Sequence, residues 1–280
     1  MQSMSLLKAA FTETPALLAI ALFFGIWLVL WLPIAIPLAI ALKWQPPHPI
    51  APAQKIPLLA SLYVLAPLVL WGVATVQNES FAAYGLPWQA SVLASFSVGL
   101  GAGVISLGGL FAVQWGLGWV QWDSISGANV SSLSIFSTLA LGSWISVTEE
   151  LIFRGFLLNQ LQHDYSLWIA AAIASVIFAV LHLVWEGVEQ VPQLPGLWLL
   201  GMVLVLARWA DHGHLGLACG LHAGWIWAIA TLDSTQRLTY PNPDRSWLTG
   251  SSGKPLSGLV GLLFLVVMGA ILWLIKEGIS

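Results

Sequence analysis

The sequence predicts an all-α polytopic membrane protein of about eight transmembrane helices, with an intramembrane site formed by the fourth, fifth and seventh spans. Three observations predict it. Hydrophobic residues fill 58% of the 280 positions and charged residues only 8%, for a mean hydropathy of +0.86, whereas a water-facing domain carries about 25% charged residues. Apolar runs of roughly 20 residues, the helix length that ~30 Å of hydrocarbon demands, recur along the chain. Inside one of those runs stand two adjacent carboxylates and an arginine, Glu149, Glu150 and Arg154, where each such group costs about 2.5–3.5 kcal/mol to insert.

The same composition excludes several classes. The net charge is −3 and no basic run is present, so nucleic acid is not an expected partner. Cys219 is the one cysteine, which excludes an internal disulfide and a CxxC zinc pair. The apolar stretch after Lys8 outruns a signal-peptide core and lacks a small-x-small cleavage site, so it reads as a retained first span. Seventeen Trp, several placed where spans should meet water, suit an aromatic belt. With no repeat of fixed period and no soluble domain, residues 1–280 read as a single integral membrane domain. The expected setting is a bacterial inner membrane or an organelle membrane.

Span one is expected from about Pro15 to Leu42, kinked at Pro33 and Pro37. The proline-rich stretch from Lys43 to Lys55 is a stiff polar connection to span two, Ile56 to Val76. Tyr84-Gly85-Leu86-Pro87 is a turn signal. Span three, Gln89 to Val113, carries Gly99, Gly101, Gly103, Gly108 and Gly109, small residues that let helix backbones approach closely. A polar and aromatic link holding Asp123 and Asn129 leads to span four, Leu133 to Leu161. Span five runs Leu167 to Trp185, and span six, short for a bilayer, Leu197 to Ala210. Span seven is Leu215 to Leu232 and span eight Leu256 to Ile275, after the longest polar loop. Lys43, Lys55, Arg237, Arg245 and Lys254 collect on one side, and Lys8, Arg208 and Lys276 on the other. That bias puts both termini outside.

In span four, Ser143, Ser146, Glu150 and Arg154 recur at helical spacing and form a polar stripe. Glu150 and Arg154 are four apart with Glu first, the favoured order for an ion pair, which either brackets a site or simply locks two spans together. Glu149 is rotated by roughly 100° from Glu150, which leaves one carboxylate without that partner. Two His lie inside apolar runs, His182 and His222. A carboxylate and a His on neighbouring helices can share and activate a water, and a second His can stabilise the oxyanion of an attacked carbonyl. Glu186, four after His182, falls at a span end and reads as a loop-facing acid, while His212 and His214 read as solvated turn residues.

Glu149-Glu150-x-x-x-Arg154, Phe178-x-x-x-His182 and then His222 in a late span, within about Ser143 to Trp227, resemble the three motifs of the type II CAAX prenyl endopeptidases, also called the CPBP or Abi family of intramembrane proteases. The resemblance implies a protease core over residues 133–232, with Glu149, His182 and His222 catalytic and Glu150, Arg154 and Phe178 supporting them. It implies hydrolysis of a peptide bond, by a water that Glu149 and His182 activate, in a membrane-borne or lipidated peptide or protein. The family's third motif is commonly His-x-x-x-Asn, its Asn assisting the oxyanion. Ile226 stands there and has no donor, so Trp225 or a backbone group is the alternative source. No cofactor is expected; zinc, held by Glu149, His182 and His222, is the alternative, since it takes such N and O ligands. A non-proteolytic membrane protein of the same fold (a transporter, a haem or metal carrier, an immunity-type partner) is the competing reading.

Overall fold

Backbone N–H and C=O groups in lipid find no water, so an apolar run can cross only if it satisfies them internally, and here each such run closes into a helix. A computed structural model describes residues 2–45, 50–123, 131–235, 237–250 and 254–279. The helices are α1 (Gln2–Thr12), α2 (Ala16–Ala41), α3 (Pro52–Gln77), α4 (Ala90–Gly116), α5 (Ser132–Glu150), α6 (Leu158–Leu161), α7 (Leu167–Glu186), α8 (Leu194–Ala210), α9 (Gly216–Thr235), α10 (Ser246–Thr249) and α11 (Leu259–Ile279). A π-helical turn, Leu151–Leu157, joins α5 to α6, and a 3-10 turn, Val188–Gln193, leads into α8. Pro33 and Pro37 lie inside α2, and Pro57 and Pro67 inside α3, without ending either helix.

Among the described residues, seven helical segments are long and apolar enough to cross a membrane: Ala16–Ala41, Ala53–Gln77, Ala90–Gly116, Ser132–Leu161, Leu167–Trp185, Val188–Ala210 and Leu259–Gly278. The chain is therefore a multi-pass integral membrane protein. These seven accord with an expectation of about eight, and the difference of one falls at a particular helix. The doubtful span six is lengthened by its 3-10 turn and qualifies, whereas the eighth long helix is α9, which is not among the seven. Its Gly216, Gly220, His222 and Gly224 are all buried. A helix that faces protein on most sides needs little lipid-compatible surface.

α9 is central because glycines let α4 come against it. A Cβ added at Gly220 would lie 2.0 Å from the Phe96 carbonyl oxygen, and one at Gly103 would lie 2.6 Å from that of Leu221. Of the glycines of span three, Gly99 and Gly103 thus let backbone meet backbone, whereas a Cβ at Gly101, Gly108 or Gly109 would meet nothing within 4 Å. Substituting Gly220 by Leu is expected to push α4 and α9 apart and destabilise the protein by about 1–3 kcal/mol or more. Thermal unfolding in detergent measures this, and a variant as stable as the wild type would contradict so close an approach.

Two features carry no sequence signal. α1 folds back so that Phe11, 0% exposed, meets Phe156 edge-on at 6.4 Å while its carbonyl accepts from Gln160 Nε2 at 2.9 Å. A two-residue ribbon, β1 (Gln121–Trp122) antiparallel to β2 (Leu238–Thr239), ties the loop after α4 to the one after α9. Residues 46–49 of the proline-rich connection, and 124–130 with Asn129, lie outside the described residues.

Candidate active site

α5 starts at Ser131, whose Oγ accepts from the Ser134 N–H at 3.1 Å, and delivers Glu149 and Glu150 as its last two residues. The helical pitch separates them as expected. Glu149 lines a cavity of about 440 Å³. Glu150, 0% exposed, turns into the protein.

Glu150 Oε1 accepts two bonds, from Arg154 at 3.0 Å and from His222 Nδ1 at 2.8 Å. Arg154, 1% exposed, lies with its guanidinium carbon 4.4 Å from the centre of the Phe178 ring. Phe178 in turn stands edge-on to His182 at 4.5 Å and to His222 at 6.2 Å. It is therefore the spacer that sets α5, α7 and α9 at working distance. Since Glu150 holds the Nδ1 side of His222, the Nε2 side faces Glu149, 3.8 Å from its Oε2. One carboxylate thus aims the imidazole at the other, as an outer partner aims a ligating His in a metal site.

His182 is fixed in a different way. Its Nδ1 lies 2.8 Å from the Phe178 carbonyl, an acceptor only, so Nδ1 is the donor, and whenever the ring holds one proton Nε2 is the lone pair. His182 lines the same cavity as Glu149. The wall is otherwise apolar and aromatic, with Trp27 and Trp31 from α2 and Trp185 from α7, and the rings of Trp31 and Trp185 meet edge-on at 5.9 Å. A carboxylate and an imidazole thus share an apolar chamber.

The π turn directly after Glu150 buries all seven of its residues. Such turns occur often at functional sites. Around it, the Arg154 carbonyl accepts from Arg208 of α8, which also donates to Asn159 Oδ1 at 2.9 Å. Tyr84, on the loop before α4, leans on Gly155 and Phe156. Burial first, and the Glu79 charge second, hold its phenol well above the ordinary value, so it remains a protonated donor to Gln77 at 2.7 Å. Ser146 Oγ ties α5 to α9 through the Cys219 carbonyl at 2.6 Å.

Residues 131–228 match the family model described as type II CAAX prenyl endopeptidase Rce1-like. That segment is similar to this family. It spans about a third of the chain and contains Glu149, Glu150, Arg154, Phe178, His182 and His222. No curated protein and no solved structure matches the chain.

Within the CAAX-type segment, the structure brings Glu149, Glu150, Arg154, Phe178 and His222 into one buried cluster, with His182 at its edge on the cavity. Ile226 lies elsewhere: a Cβ on Gly142 would come 3.1 Å from its Cγ2, and Gly142 precedes Glu149 by two turns. The Trp225 indole N–H donates to Ser106 of α4 at 3.2 Å. His212 is exposed and His214 half-buried, and the side chain of Glu186 lies outside the described residues. Among the described residues no three His, Cys, Asp or Glu side chains gather closely enough to hold a metal ion.

One residue at the site escaped the sequence reading. Tyr63, on α3 and outside the CAAX-type segment, lines the cavity and donates its phenol proton to Glu149 Oε1. The signal available was a lone phenol within an apolar span, where an O–H needs a buried acceptor.

Proposed function

We propose that this chain is an intramembrane endopeptidase that hydrolyses a peptide bond in a membrane-borne or lipidated substrate. The observation that carries the reading is that Glu149 and His182 line the same apolar cavity, with His222 Nε2 3.8 Å from Glu149 Oε2. The CAAX-type segment supports it.

In this reading the substrate's scissile carbonyl enters the cavity beside a water. Glu149, with the Nε2 lone pair of His182, takes a proton from that water as its oxygen bonds to the carbonyl carbon. The tetrahedral oxyanion then forms in a low-dielectric chamber, where each nearby donor counts for more than it would in water. His222 Nε2 can donate to it only while the ring carries both protons, because Nδ1 is committed to Glu150. Collapse of the intermediate breaks the C–N bond, and the proton taken from water passes to the leaving amine. The ligand set for zinc is not assembled among the described residues, and this reading routes no step through a metal.

The test is cleavage of a membrane-peptide library by the purified chain in liposomes, with His182→Ala in parallel. Wild type is expected to release products, and His182→Ala to lose roughly 10²–10⁴-fold in rate while remaining folded. A His182→Ala protein that cleaves at the wild-type rate would remove His182 from the chemistry, and a wild type that cleaves nothing would favour a non-proteolytic role.

A further inference from the structure

Glu149 has two oxygens, and the structure treats them unequally. Oε1 accepts from the Tyr63 phenol, while Oε2 lies 3.8 Å from His222 Nε2. Tyr63, Glu149 and His182 are the ionisable side chains on a wall otherwise built of Phe, Trp, Leu, Ile and Val. A carboxylate at the end of two freely rotating bonds has several ways to face such a chamber. A bond to one oxygen removes most of them.

Tyr63 is itself held. The residues just before it, Ser61 and Leu62, are each bonded by a tryptophan of α2: Trp31 Nε1 donates to Ser61 Oγ at 2.9 Å, and Trp27 Nε1 to the Leu62 carbonyl at 3.2 Å. Two indoles thus fix the register of α3 against α2 one residue away from the phenol. Supporting contacts of this kind hold a functional group within the tolerance that catalysis demands.

We propose that Tyr63 is a positioning residue for Glu149, its phenol gripping Oε1 so that Oε2 stays turned toward the reacting water. The proposal rests on the endopeptidase reading for its catalytic meaning. Its physical content, the grip on Glu149, does not. It also extends the site beyond residues 131–228, to a helix that none of the three motifs reaches.

The test is Tyr63→Phe, which keeps the ring and deletes the donor. On a peptide that the wild type cleaves, kcat is expected to fall roughly 10–100-fold, the scale of a small misplacement of a reacting group. KM should stay within about threefold, because the aromatic wall is intact. Thermal unfolding in detergent should be close to wild type, whereas a purely structural tyrosine would move stability and leave kcat alone. A second measurement needs no cleavage: labelling of Glu149 by a lipid-soluble carbodiimide, followed by mass spectrometry, with Glu149→Gln as the unreactive control. With the phenol gone, Oε1 is uncovered, and labelling is expected to be several-fold faster. Equal labelling rates in wild type and Tyr63→Phe overturn the proposal outright. Faster labelling with an unchanged kcat overturns the role in the reaction, and a wild type that cleaves nothing overturns the endopeptidase reading while the labelling still judges the grip.

Discussion

Glu149→Gln is expected to reduce peptide cleavage by roughly 10²–10⁴-fold, the share that a positioned general base contributes, with little loss of stability. Gln is the same shape, and its amide oxygen still accepts from Tyr63, so the geometry at Oε1 is kept. What disappears is the site for a proton. Only 7% of Glu149 is exposed, so removing its charge also removes a desolvation penalty, and thermal unfolding should be unchanged or slightly higher. Full cleavage by Glu149→Gln would show that some other group activates the water. A collapse in stability would show instead that Glu149 is mainly a structural partner of His222 and Tyr63.

Arg154→Met is expected to have the largest effect on folding. Arg154 and Glu150 are 1% and 0% exposed and 3.0 Å apart. Deleting one member of such a pair leaves a buried charge whose remaining partner is His222, a loss of about 3–5 kcal/mol. Thermal or denaturant unfolding in detergent measures it. Adding Glu150→Leu to Arg154→Met should recover much of that stability, since replacing both ions with apolar groups is often neutral or better. It should not recover cleavage, because His222 then loses the carboxylate that orients it. Recovery of both would make the pair a simple lock between spans. Recovery of neither would mean that the Phe178 contact, rather than charge, holds Arg154 in place.

Most of this architecture was legible in the sequence because lipid leaves few alternatives. Bounds set by apolar runs fell within a few residues of those observed: Pro15 to Leu42 became Ala16–Ala41, and Leu133 to Leu161 became Ser132–Leu161. Charges in lipid announce themselves, so the cluster of Glu149, Glu150, Arg154 and His222 was findable one residue at a time. α9 was legible as a helix, but its backbone contact with α4 through Gly103 and Gly220 was not, since only the packing of the two helices makes it. The π turn at Leu151–Leu157 follows from packing around Arg154 and Tyr84, and no periodicity encodes it. Tyr63 was illegible for a related reason. Its acceptor lies 86 residues away, and only the approach of α3 to α5 joins them.

The wall of the cavity has a consequence for how such a protein can change over time. Phe24, Trp27, Leu28 and Trp31 on α2, with Leu59 and Leu62 on α3, form much of the surface that a substrate would touch, and all precede residue 131, where the family match begins. Glu149, His182 and His222 all follow it. In the proposed reading, much of the wall thus lies ahead of the stretch that carries Glu149, His182 and His222, which itself adds Ile145, Leu181, Val184 and Trp185 to the wall. Drift among the early apolar side chains can reshape which substrates fit while the reacting groups stand still, so a lineage can inherit its chemistry intact and still change its diet.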